Sequence, residues 1–158
     1  SRGCGASEGR PCQDALLADA LALYDEVRRR HPQGDIAVVG RSLGSGVAAW
    51  VASHRPVEPL ALVAPFDDLA GVAAHHYPWL PVRWLMTERF PSAEFLHDFQ
   101  GQVLVLRAGR DTVVPPAGTD RLLAALPHPP QVVDFPEHGH NDLSDDPRFG
   151  SALAGFMQ

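Results

Sequence analysis

The sequence predicts an α/β fold: a mostly parallel sheet of about four strands covered by helices. Two observations point there. Four short runs, at 35–40, 60–64, 103–106 and 131–135, are largely apolar and rich in β-branched residues, as strands covered on both faces are. Segments with helical spacing stand between them, so strand and helix alternate along the chain.

Each element has its own justification. Residues 1–11 are rich in glycine and polar groups and read as a loop. Over 12–30, Leu16, Leu17, Ala20, Tyr24 and Val27 recur at helical spacing. Asp14 and Asp19 come early and Arg28, Arg29 and Arg30 late, which complements the helix dipole; Pro32 and Gly34 stop the helix. The arginine run is read as a solvated helix end. The strand at 35–40 reads as buried. The helix at 43–54 carries small residues (Gly44, Ala48, Ala52) on one face, which permits close packing on a sheet. Strands at 60–64 and 103–106, a helix at 116–126, a strand at 131–135 and a closing helix at 146–157 complete the alternation. Residues 66–100 break it, being dense in proline and bulky apolar groups such as Phe66, Tyr77, Trp79, Trp84, Phe90 and Phe95. Two readings stay open: a cap-like insertion over a site, or a helical excursion whose aromatics join the core.

Composition narrows the function. A chain of 158 residues makes one domain, taken as 1–158. A net charge of −6 argues against a grip on nucleic-acid backbones. All 13 basic residues are arginine, which excludes a lysine Schiff base and the lysine of a Walker-type phosphate loop. Gly40, Gly44 and Gly46 lack the spacing of a dinucleotide cradle, so no cofactor is expected. Cys4 and Cys12 read as free thiols in a reducing compartment. No apolar stretch approaches the roughly 20 residues of a membrane span, and Ser1 onward shows no signal peptide. The expectation is a cytoplasmic protein acting on a small-molecule or acylated substrate. Because the sequence begins without methionine, a processed or incomplete chain is expected.

The sharpest motif is Gly40-Arg41-Ser42-Leu43-Gly44, a G-x-S-x-G pattern where a strand ends and a helix begins. Such a turn lifts the serine hydroxyl above the sheet, and bulk on either side is expected to clash. It also sets the Leu43 amide at a helix N-terminus, where it can donate to an oxyanion. A serine nucleophile needs a base, and the base an orienting acid. Asp111 follows the third strand and is the favoured acid; Asp67 and Asp68, after the second, are rivals. His138 and His140 follow the fourth strand. His140, next to flexible Gly139, is the chosen base. The order Ser42, Asp111, His140, each after a strand, is that of an α/β-hydrolase triad.

On these residues the chain resembles the α/β-hydrolase superfamily. It is most like the serine hydrolase branch with lysophospholipase-like and acyl-protein-thioesterase-like members. Arg2 to Pro11 resembles that branch's loop after its fourth strand, and Gly40 to Gly46 its nucleophile elbow. Ala64-Pro65-Phe66 resembles its post-strand turn, and Gly109 to Pro115 and Gly139 to Asp142 its acid and base segments. The resemblance implies Ser42 as nucleophile, Asp111 as acid and His140 as base, in cleavage of an ester or thioester. It also implies further strands and a second oxyanion amide upstream of Ser1. The chain is therefore expected to be an N-terminally truncated hydrolase whose strand at 35–40 exposes a hydrophobic edge.

Three alternatives are weighed beside it. One is a non-catalytic interaction module. Another is a serine peptidase on the same scaffold. The third is a metal-dependent hydrolase using the H-x-H-x-D string His138, His140 and Asp142, where Leu143 replaces an expected histidine.

Overall fold

The computed structural model describes residues 12–76, 78–79 and 89–158. Helix α1 (Cys12–Arg30) is followed by β1 (Val38–Arg41), α2 (Leu43–His54), β2 (Leu60–Val63), α3 (Leu69–His76) and the single turn α4 (Ser92–Phe95). Then come β3 (Val103–Ala108), α5 (Pro116–Ala125), β4 (Gln131–Phe135) and α6 (Pro147–Phe156). The four strands form one parallel sheet in the order β1-β2-β3-β4. Consecutive strands are therefore neighbours, and all their carboxyl ends share one rim. No described helix is long and apolar enough to cross a membrane.

Alternation along the strands sorts the core into two layers. Leu60, Leu62, Val103 and Val105 face Tyr24 of α1, Ala48, Val51 and Ala52 of α2, and Leu122 of α5. Ala61, Val63, Leu104, Leu106 and Phe135 face the other way, onto Phe149, Ala152, Leu153 and Phe156 of α6. Both central strands are thus apolar on both faces, which explains their unbroken apolar runs. Strand β1 departs from the expectation of burial. Only Gly40 in it is buried, and Val39 is 51% exposed. The reason is its edge position: among the described residues β2 alone pairs with it. An apolar groove of about 550 Å³ runs beside it, lined in part by Leu16, Leu23, Val39, Leu43 and Val47. The exposed hydrophobic edge expected from the sequence is present.

Within the insertion at 66–100 the described apolar side chains differ in burial. Phe66, Phe90 and Leu96 are fully buried, while Trp79 is 77% exposed. Phe66 and Phe90 form a small core with Leu17 and Val114. Tyr77 and residues 80–88 lie outside the described residues, as does the loop expected over 1–11.

Glycine placement differs from the reading of the motif. A Cβ on Gly40 would lie 2.4 Å from the carbonyl oxygen of Gly44 and 2.6 Å from Ala48 Cβ, so α2 crosses β1 at a point where no side chain fits. A Cβ on Gly46 would press on Phe90 at 2.9 Å. Gly44, by contrast, has nothing within 4 Å. The clash expected on both sides of Ser42 holds on one side only, because Gly44 faces away from the sheet contact. Gly40→Ala is accordingly expected to destabilise by about 2–3 kcal/mol or more through overpacking. Gly44→Ala should be neutral or stabilising by up to about 1 kcal/mol, since alanine is the better helix former. Urea unfolding of the two variants checks this; equal losses would refute it.

Helix α6 begins with a charge arrangement that has its own pH signature. Asp146 caps it by accepting from the Arg148 amide at 2.9 Å. Its carboxylate also takes the Arg148 guanidinium at 2.7 Å and lies 3.3 Å from His138 Nε2. The Arg148 guanidinium, then the capped amide, hold the Asp146 carboxyl down at about 2. A depressed folded-state value means stability that is complete above the ordinary aspartate range near 4 and lost as pH falls towards 2. Asp146→Asn keeps a capping oxygen but cannot ionise. Its stability is expected to fall less steeply than that of the unaltered chain between about pH 4 and 2. Parallel slopes in acid titrations followed by circular dichroism would contradict this.

Candidate active site

The rim where the strands end carries the candidate site. Ser42 follows β1 directly, and its amide donates to the Val63 carbonyl at 2.9 Å, extending the sheet ladder by one bond. Its backbone sits at φ 52°, ψ −121°, in a region non-glycine residues rarely occupy. The neighbouring sheet, with α2 packed at Gly40, holds it there. The Ser42 carbonyl accepts from the Ser45 amide at 2.8 Å and from Ser45 Oγ at 2.5 Å, and Ser45 is fully buried. The hydroxyl of Ser42 is left facing the rim. Two other non-glycine residues have positive φ, Ala64 (46°) after β2 and Phe90 (43°) against Gly46. Backbone strain of this kind concentrates at functional sites.

Asp111 sits in the turn after β3. Its Oδ1 accepts from the amides of Val113 at 2.9 Å and Val114 at 2.7 Å, so the turn locks the side chain. Its Oδ2 is left to His140 Nδ1, at 2.8 Å. The other imidazole nitrogen, Nε2, lies 2.9 Å from Ser42 Oγ. The network assigns the tautomer: Nδ1–H donates to the carboxylate, and Nε2 accepts from the hydroxyl. The side chains of His140 and Asp111 are only 10% and 5% exposed. Residues 98 apart (Ser42 and His140) and 29 apart (His140 and Asp111) thus meet in one hydrogen-bonded line.

The rivals point elsewhere. Asp67 is held by the Arg121 guanidinium at 2.6 Å and Asp68 by Arg89 at 2.6 Å, and Asp68 also accepts from the Ala70 amide. These carboxylates raise Arg121 and Arg89 further above the usual arginine range. His138 turns to Asp146 and Asp142, while its carbonyl accepts from the Arg110 amide at 2.9 Å. His138, His140 and Asp142 therefore do not converge, and the described residues contain no group of three or more histidine, cysteine, aspartate or glutamate side chains arranged to hold a metal ion. Elsewhere, His76 bonds the Val113 carbonyl and His97 bonds Asp98.

Sequence reasoning passed over two contributors. Thr119, buried on α5, donates to the Pro65 carbonyl at 2.8 Å and fastens that helix to the rim. Arg41, the variable residue before the serine, reaches across to the loop of His140. Neither carries a motif; only chain proximity in three dimensions reveals them.

Comparison with known proteins shows the family and the fold. The family model described as alpha/beta hydrolase fold matches residues 1–85. An uncharacterized protein of Mycobacterium tuberculosis is 41% identical over 143 residues, covering 89% of this chain and 51% of its own length. The lysophosphatidylserine lipase of Danio rerio is 33% identical over 132 residues, covering 72% of this chain and 35% of its own. The chain thus spans about half, or about a third, of the curated relatives it matches. The meta-cleavage product hydrolase of Pseudomonas fluorescens superposes with a TM-score of 0.71 at 14% identity, covering 98% of this chain and 74% of that one, a likeness of fold. With its parallel sheet, its strand-turn-helix at Ser42 and this family match, the chain belongs to the alpha/beta hydrolase fold family.

Proposed function

We propose that the chain is a serine hydrolase that cleaves a carboxylic ester or thioester through an acyl-enzyme on Ser42. One observation carries the reading: the continuous line from Asp111 through His140 to Ser42 Oγ, with both contacts below 3 Å. In that arrangement His140 Nε2 takes the hydroxyl proton as Ser42 Oγ attacks the acyl carbon. The proton then passes to the departing alcohol or thiol. Asp111 fixes the imidazole tautomer and stabilises the imidazolium. The Leu43 amide, first in α2, belongs to the helix's N-terminal donors and is assigned to stabilise the developing oxyanion. Water, activated by the same imidazole, releases the acid and restores Ser42.

The substrate class is supported more loosely. The Danio rerio relative is named a lipase acting on lysophosphatidylserine, which favours an acylated lipid-like ester over a peptide.

A fluorophosphonate probe tests the nucleophile without knowledge of the substrate. Ser42 should be labelled, and Ser42→Ala should abolish labelling. Ester hydrolysis by Asp111→Asn should fall about 10³–10⁴-fold, because the wrong imidazole tautomer is then held. A folded, unlabelled chain would instead favour a non-catalytic interaction module, and chelator-sensitive activity surviving Ser42→Ala would favour a metal-dependent hydrolase.

A further inference from the structure

The segment that carries His140, residues 136–142, is neither helix nor strand, yet its imidazole must stay aimed at Ser42. On its amino-terminal side it is tied by the Arg110 amide, which donates to the His138 carbonyl. Beyond His140 the tie comes from the nucleophile's own strand. Arg41 Nη2 donates to the His140 carbonyl at 2.9 Å and to the Asn141 carbonyl at 3.1 Å. Its two hydrogens thus serve two successive carbonyls. Nη1 lies 3.5 Å from Ser144 Oγ, a weaker contact. Apart from the contact between Ser42 and His140, these are the side-chain bonds that join the β1–α2 junction to this segment among the described residues.

The partners of Arg41 are unlike those of most other arginines. Arg55, Arg89, Arg107, Arg121 and Arg148 all pair with carboxylates. Arg41 makes no ion pair among the described residues and gives its strongest bonds to backbone carbonyls. The guanidinium is planar and permanently charged, so these bonds are directional and charge-assisted. Arg41 is exposed, and its side chain bridges two surface segments rather than filling a core. Its removal opens no cavity and strands no buried charge.

We infer that Arg41 is a positioning residue, a clamp that holds the backbone of His140 and Asn141 against the nucleophile's strand and so keeps the imidazole in line with Ser42 Oγ. The inference rests on the reading of Ser42 as nucleophile and His140 as base. A fork that spans two carbonyls restrains both the position and the tilt of the segment, which a single bond would not. Sub-ångström to ångström displacement of a catalytic base is costly to rate, since proton transfer depends on alignment.

The test compares Arg41→Ala and Arg41→Lys with the unaltered chain and with Arg29→Ala, a control on the solvent face of α1. Hydrolysis of p-nitrophenyl butyrate by Arg41→Ala should show kcat reduced about 10- to 100-fold with KM nearly unchanged. Fluorophosphonate labelling should slow to a similar extent. Arg41→Lys should recover part of the loss, because it restores a charged donor without the planar fork. The melting temperature should move by no more than about 3 °C. A spectroscopic readout separates this proposal from the function it rests on. In ¹⁵N-histidine spectra, assigned with His140→Gln, the His140 ring should keep its Nδ1–H form in the unaltered chain and in Arg29→Ala. In Arg41→Ala it should show tautomer exchange. Unchanged kcat, labelling and tautomer in Arg41→Ala would overturn the clamp. If the unaltered chain is not labelled, the hydrolase reading fails, while the histidine spectra still decide for or against the clamp. If Arg41→Ala does not fold, the same measurements on Arg41→Lys decide: a rate and spectrum matching the unaltered chain would overturn the proposal.

Discussion

The close crossing of α2 over β1 is the constraint on which the rest of this structure depends. The missing side chain of Gly40 lets the Gly44 carbonyl and Ala48 approach the strand to a distance no Cβ would allow. That approach forces the chain to reverse within one residue, and Ser42 takes up the left-handed backbone that results. The sheet then secures the strained residue through the Val63 carbonyl. The Ser42 hydroxyl is thereby raised above the rim by packing energy spent elsewhere in the fold.

The parallel sheet supplies the second requirement. When every strand runs the same way, every strand-to-helix turn opens at one end. Asp111 after β3 and His140 after β4 are carried to the rim that holds Ser42, although long stretches of chain separate them. The fine alignment is then local. Two amides fix the Asp111 carboxylate, and the Arg110 amide and the Arg41 guanidinium hold the His140 segment from either side. The same architecture leaves β1 at an edge, where Val39, Leu43 and Leu23 stay exposed beside an apolar groove. Charged groups away from the rim pair with one another on the surface, as in the bonds of Asp25 with Arg55 and of Arg107 with Asp120 and Asp134, and contribute little each.

Much of this was legible in the sequence because the controlling signals are local. Apolar runs at 60–64 and 103–106 mark strands covered on both faces, and the observed strands begin at those same residues. Helix α2 begins and ends where the small-residue segment does, at 43 and 54. The motif at Ser42 was readable because turn chemistry imposes fixed residue types. The reading of the run at 35–40 as buried failed for a reason outside its six residues. Burial of an apolar run is decided by what lies beside it, and composition cannot say which strand stands at an edge. The assumed clash at Gly44 failed likewise, since a motif records spacing but not the direction in which each Cα faces.

By itself, then, the sequence determined the alternation of strand and helix and the sharp turn at Ser42, and it singled out the segments that carry Asp111 and His140. These follow from short-range steric and hydrophobic rules. Only the tertiary structure shows that His140 and not His138 meets Ser42, that Asp111 and not Asp67 or Asp68 meets His140, and that Arg41 reaches the His140 segment. Those choices depend on side-chain directions across a sheet, where distances of 2.8 and 2.9 Å are set by strand register and helix packing together.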